Sequence, residues 1–100
     1  MKLTPEIIKQ IVCEEFQIDE FIVNHRQERE RMPRHVFCYL LRKFTILGWR
    51  EIGEMVQRDH SSAVYSYKLT NQTLKQDYKY GATVVECEKR CKEIVKEHLS

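Results

Sequence analysis

The stretch WREIGEMVQRDHSS, from Trp49 to Ser62, decides how the chain is read. Trp49, Ile52, Met55 and Val56 recur at helical spacing and give a short helix of two turns. Gln57 and Arg58 interrupt it, and the short polar Asp59 can cap a second helix that runs to about residue 73. Two helices joined by so tight a turn, the second opening on polar side chains, form a helix-turn-helix. Gly53 inside the first of them costs about 1 kcal/mol relative to alanine, so a neighbouring helix is expected to cross closely there. At helical spacing Trp49, Tyr65 and Tyr67 read as core residues.

Upstream, Val36, Phe37, Leu40, Leu41 and Phe44 give a helix over residues 33–47 that Pro33 can open, with Arg34, Arg42 and Lys43 off its apolar face. Thr4-Pro5-Glu6 is a cap, a first-turn proline and an acid suited to the helix dipole. Ile7, Ile8, Ile11, Val12 and Phe16 continue it as a helix over residues 5–16. After a turn at residues 17–19, Glu20 to Val23 reads as one helical turn inserting an apolar plug. Residues 24–32 carry no apolar period and read as an exposed loop, in which Arg29 and Arg31 are solvated beside Glu28 and Glu30. Downstream, residues 78–81 form a break. Val84, Cys87, Cys91, Ile94 and Val95 then mark a final helix of about sixteen residues. No run alternates with period two, so the fold is expected to be all-α: a compact multi-helix bundle containing a helix-turn-helix, with an additional C-terminal helix.

One hundred residues suffice for one core, so residues 1–100 are read as a single domain. The net charge of +2 is ordinary. Its distribution is not: residues 24–50 hold seven arginines and lysines against two glutamates, and a basic surface is expected there. Cys13, Cys38, Cys87 and Cys91 lack the spacing of a disulfide scaffold, and no charged-then-apolar leader follows Met1, so reduced thiols in a cytoplasmic protein are expected. Cys87 and Cys91 lie one turn apart without two further ligands at zinc spacing, which favours buried packing over a metal. No apolar run approaches the ~18 residues of a membrane span. The three glycines, Gly48, Gly53 and Gly81, cannot form a phosphate-binding loop, so neither nucleotide nor another cofactor is expected. No nucleophile and base, carboxylate pair or metal set can be assembled, and the chain is not read as an enzyme.

The first turn of the second helix of the motif holds Asp59, His60, Ser61 and Ser62. Short polar side chains at a helix N-terminus can read the donor and acceptor pattern of the major groove, and exposed amides attract phosphate. Double-stranded DNA is the partner this chemistry suggests.

Arg58-Asp59-His60-Ser61-Ser62, preceded by Trp49-Arg50-Glu51-Ile52-Gly53, resembles the signature of the C-terminal DNA-binding domain of the DnaA family, the bacterial chromosomal replication initiators. Pro33-Arg34-His35, Tyr39-Leu40-Leu41-Arg42, Phe44-Thr45 and the segment 11–18 correspond in order and spacing. The resemblance spans about residues 5–70. It implies sequence-directed binding of duplex DNA by a stand-alone helix-turn-helix module, in replication initiation, its regulation or transcription control. It implies that Arg26 enters the minor groove from the loop and that Asp59, His60 and Ser61 contact bases in the major groove. It also implies backbone contacts at Arg34, Arg42, Arg50, Ser62 and Lys68, with Arg58 part of the same surface.

Four positions depart from the family pattern. Gln57 alone stands where two glycines are common, shortening the turn, and Arg50 stands where proline is frequent. Ser61 lacks a threonine methyl, and Ala63 replaces a larger aliphatic. Residues 74–100 extend past the motif and could serve a protein partner or self-association. The alternative function is a helical protein-interaction adaptor that keeps the fold without DNA binding.

Overall fold

The computed structural model describes residues 2–21, 31–76 and 80–99. Among these residues are five helices: α1 (Pro5–Phe16), α2 (Arg31–Phe44), α3 (Trp49–Met55), α4 (His60–Gln76) and α5 (Gly81–Leu99). No strand occurs among the described residues, and the chain is all-α.

Local chemistry sets the ends of α1. The Thr4 hydroxyl accepts the Ile7 N–H at 3.3 Å, and Pro5 occupies the first turn, where its missing N–H removes no helical bond. At the other end Gln17 takes a left-handed conformation (φ 56°) and the Ile18 N–H reaches back to the Cys13 carbonyl at 3.0 Å. Phe21 is the expected plug, fully buried and edge-on to Phe37 with ring centroids 5.3 Å apart. It stands on bent chain rather than on a helical turn. The Glu20 carboxylate holds this bend by accepting the Phe21 N–H and pairing with Lys9 at 2.8 Å. The rest of the predicted plug, Ile22 and Val23, lies outside the described residues.

α2 differs most from its expected form. Its described residues begin at Arg31, two before Pro33, so the proline lies inside the helix rather than opening it. α2 ends at Phe44 rather than residue 47. The Thr45 hydroxyl bonds the Leu41 carbonyl and then accepts the Leu47 N–H at 3.2 Å, turning the chain out of the helix. Every residue from Met32 to Leu41 is buried, so α2 is a central helix and not an amphipathic one with a wet face. Its neighbours α1, α3, α4 and α5 all pack on it. Burial of His35 and Tyr39 is tolerated because those neighbours supply hydrogen-bond partners. His35 Nδ1 lies 2.7 Å from the Ser66 hydroxyl of α4, and the Tyr39 hydroxyl donates to Glu88 of α5 at 2.8 Å.

The C-terminal extension is part of this core. Val84, Cys87 and Cys91 of α5 are fully buried, and Arg90 fastens α5 to α1 by bonding Glu15 at 2.9 Å and Glu14 at 2.7 Å. All four cysteines are free. Burial pushes the Cys87 and Cys91 thiols up to about 12, so at neutral pH they are apolar packing groups. Among the described residues no helix is long and apolar enough to cross a membrane.

Candidate nucleic-acid interface

The geometry of the helix-turn-helix rests on Gly53. A Cβ built on it would meet the Asp59 carbonyl oxygen at 2.5 Å and the Arg58 carbonyl oxygen at 2.9 Å. The backbone of the turn therefore lies directly on this glycine. The close approach expected at Gly53 is real, but it comes from the turn preceding α4 rather than from a crossing helix. The Arg58 N–H closes the turn onto the Gly53 carbonyl at 2.8 Å. Gln57 adopts φ 59°, a left-handed conformation that a glycine would take without strain.

Asp59 caps α4 through Oδ1, which accepts the Ser62 N–H at 3.0 Å. That amide bond holds the Asp59 carboxyl below the usual carboxylate range, so it is ionised at neutral pH. The cap leaves a first turn whose polar side chains face water. Arg58, Asp59, His60 and Ser61 are all exposed, and Ser62 is half-buried. Lys68, seven residues after Ser61 and on the same side of α4, is exposed as well.

A second group gathers where α2 meets α3. The exposed Arg42 lays its guanidinium 4.3 Å from the centre of the Trp49 ring and donates to the Leu47 carbonyl at 3.5 Å. Trp49 meets Tyr67 of α4 edge-on at 5.6 Å, and Tyr67 lies 5.2 Å from Tyr39 of α2. Tyr39 donates to Glu88, which also pairs with Lys43. Aromatic contacts thus hold Arg42 in one direction instead of leaving it a free lysine-like tether. Glu88, at the far end of this chain of contacts, has no signal in the sequence beyond its helical register. Arg50 is exposed in the first turn of α3, beside this group in sequence.

Three sequence expectations end differently. Arg34, expected off the apolar face, is only 8% exposed. α4 packs across the N-terminal half of α2, through Ser66 on His35 and through the Tyr65 ring, 5.6 Å from the His35 ring. Arg34 reaches solvent through the cleft between the two helices. Tyr65, expected in the core with Trp49 and Tyr67, is 59% exposed, because its register on α4 matches Ser61 rather than Ala63 and Tyr67. Arg31, expected in a solvated loop, belongs to α2 and lines that same cleft with Arg34, Arg58, Ser62 and Tyr65. The signal that could have found Tyr65 was its four-residue offset from Ser61. Arg26, the expected minor-groove residue, lies outside the described residues.

Comparison with known proteins gives this geometry a family. Residues 5–69 match the family described as the bacterial DnaA protein helix-turn-helix. Over 93 residues, covering 91% of this chain, the sequence is 29% identical to the chromosomal replication initiator protein DnaA of Caldanaerobacter subterraneus subsp. tengcongensis. It is 31% identical over 84 residues, 82% of the chain, to that of Desulfotalea psychrophila. It is 35% identical over 77 residues, 75% of the chain, to chromosomal replication initiator protein DnaA 2 of Protochlamydia amoebophila. These alignments span only 21%, 18% and 17% of the respective relatives, about a fifth of their length. With the match covering the capped turn, the first part of the helix it opens and the three helices before it, the chain belongs to the bacterial DnaA helix-turn-helix family.

Proposed function

We propose that this chain binds duplex DNA in a sequence-directed way and serves replication initiation or its control. The observation that carries the reading is the exposed run Arg58-Asp59-His60-Ser61 at the capped start of α4, in a family whose named relatives are replication initiators. In this reading α4 enters the major groove, His60 and Ser61 face base edges, and Asp59 combines a base contact with its capping bond. Arg42, Arg50, Ser62 and Lys68 meet phosphates, Arg34 and Arg58 do so from the cleft, and Arg26 supplies the minor-groove contact. Trp49 and Tyr67 keep Arg42 aimed. Transcription control is a second use of the same contacts, and the surface of α5 is available for a protein partner or a second copy.

Titration of random and selected duplexes against salt tests the proposal. The five cations among these phosphate contacts give a log-log slope of about −4 to −5. Arg42→Ala should weaken binding to every sequence alike, because a phosphate contact positions the protein without reading bases. A slope near zero would point instead to a helical interaction adaptor.

A further inference from the structure

Between the first turn of α2 and the opening of α4 lies an open cleft of about 460 Å³. Arg31 and Arg34 of α2, Arg58 of the turn, and Ser62 and Tyr65 of α4 line it. Three arginines line this space, and no carboxylate occurs among its described lining residues. Asp59, next to Arg58 in sequence, has Oδ1 committed to the Ser62 amide, and Glu30, next to Arg31, lies outside the described residues. Like charges gathered in a concavity repel one another and raise the local potential for an anion.

The deeper wall is neutral and fixed. His35 shares its Nδ1 with the Ser66 hydroxyl, and burial, followed by the charges of Arg34, Arg31 and Arg58, holds the imidazole down to about 4. The ring is thus an uncharged support at neutral pH. Against it stands Tyr65, exposed yet set edge-on to His35 with the rings inclined at 76°. A planar guanidinium fork matches the oxygens of a phosphate, and a tyrosine hydroxyl can donate one more bond to it.

We propose that this cleft is a phosphate seat, in which Arg31 and Arg58 pair with the phosphate oxygens and Tyr65 donates its hydroxyl, beside the recognition surface but distinct from the base-reading residues. The phosphate is supplied by the backbone of a bound duplex, in which case the proposal rests on the DNA-binding reading, or by free phosphate in solution. Arg31 and Tyr65 thereby become binding residues, where the sequence suggested a solvated loop and a core aromatic.

The test uses the full chain and two variants. Arg31→Ala removes an exposed cation, and Tyr65→Phe keeps the ring against His35 while deleting only the hydroxyl. Unchanged melting temperatures establish that both fold. In one arm, duplex affinity is measured across salt. Arg31→Ala should weaken binding about tenfold on every sequence and make the log-log slope shallower by about 1, with a smaller uniform loss for Tyr65→Phe. In the other arm, inorganic phosphate is titrated while the Tyr65 ring and Ser62 amide resonances are followed. Saturable shifts in the parent that disappear in Arg31→Ala, with duplex affinity unchanged, support the seat and name free phosphate as its occupant. Failure of the parent to bind any duplex overturns the proposed function, and the phosphate arm then decides the seat alone. If the folded variants match the parent in both arms, the seat is overturned.

Discussion

α2 and the opening of α4 are both rich in polar residues, yet they behave in opposite ways. Along α2 the ten residues Met32 to Leu41 are buried, and His35 and Tyr39 find partners on α4 and α5. From Arg58 to Ser61 the side chains remain in water, and what is fixed is the backbone, through Gly53 beneath it and the Asp59 cap. Polar chemistry that is bonded within the protein holds the fold. Polar chemistry left unburied on a rigid frame is available to a partner. Substitutions in the first region should therefore move stability, and those of Arg58, His60 and Ser61 in the second should move binding alone, whereas replacing Asp59 also removes the cap.

The largest effect expected is at the centre of α2. Leu40 is fully buried, and Leu40→Ala should lower unfolding stability by about 2–5 kcal/mol, measured as a drop in the denaturant midpoint at constant slope. A loss under about 1 kcal/mol would mean that α2 is not the centre of the core.

His35 sharpens the contrast through pH. Its folded value is held near 4, mainly by burial, against an ordinary 6.5. The unfolded chain therefore binds the proton more readily. Stability is fully present above about pH 6.5 and is lost as pH falls toward 4, by ~3 kcal/mol at most. Following the His35 ring by NMR should give a midpoint near 4. A midpoint at the ordinary 6.5 would show that His35 is not buried between α2 and α4.

Gly53→Ala probes the boundary between the two regions. A methyl group there collides with the backbone of the turn, so about 1–3 kcal/mol of stability should be lost, together with DNA affinity, as Arg58 and Asp59 are displaced. A variant as stable as its parent would show that the turn does not rest on this glycine.

These cases also show what a sequence can reveal. The Asp59 cap, the Gly53 contact and the order of helices follow from local rules: which residue accepts an N-terminal amide, where a side chain cannot fit, and how apolar residues repeat. The central position of α2 does not. An apolar stripe shows that a helix has an inner face, but not how many neighbours will cover its remaining faces. Arg34 therefore reads as solvent-facing, yet it is nearly buried on the helix that α4 packs against. Tyr65 is exposed for the converse reason, because aromatic spacing alone does not distinguish its register from that of Tyr67. The chain of contacts from Glu88 to Arg42 joins residues on α2, α3, α4 and α5, and only the assembled fold brings them together.

The central claim, that the unburied side chains at the start of α4 read base sequence on a frame held elsewhere, is tested most directly by a base-by-base specificity profile of the parent and of His60→Ala, with melting temperatures recorded alongside. The account predicts that the parent enriches a defined core sequence from a random duplex pool. His60→Ala should lose about 1–3 kcal/mol of discrimination at one or two base pairs of that core, with an unchanged melting temperature. Identical profiles for the two proteins, or a loss of discrimination accompanied by a lowered melting temperature, would contradict it.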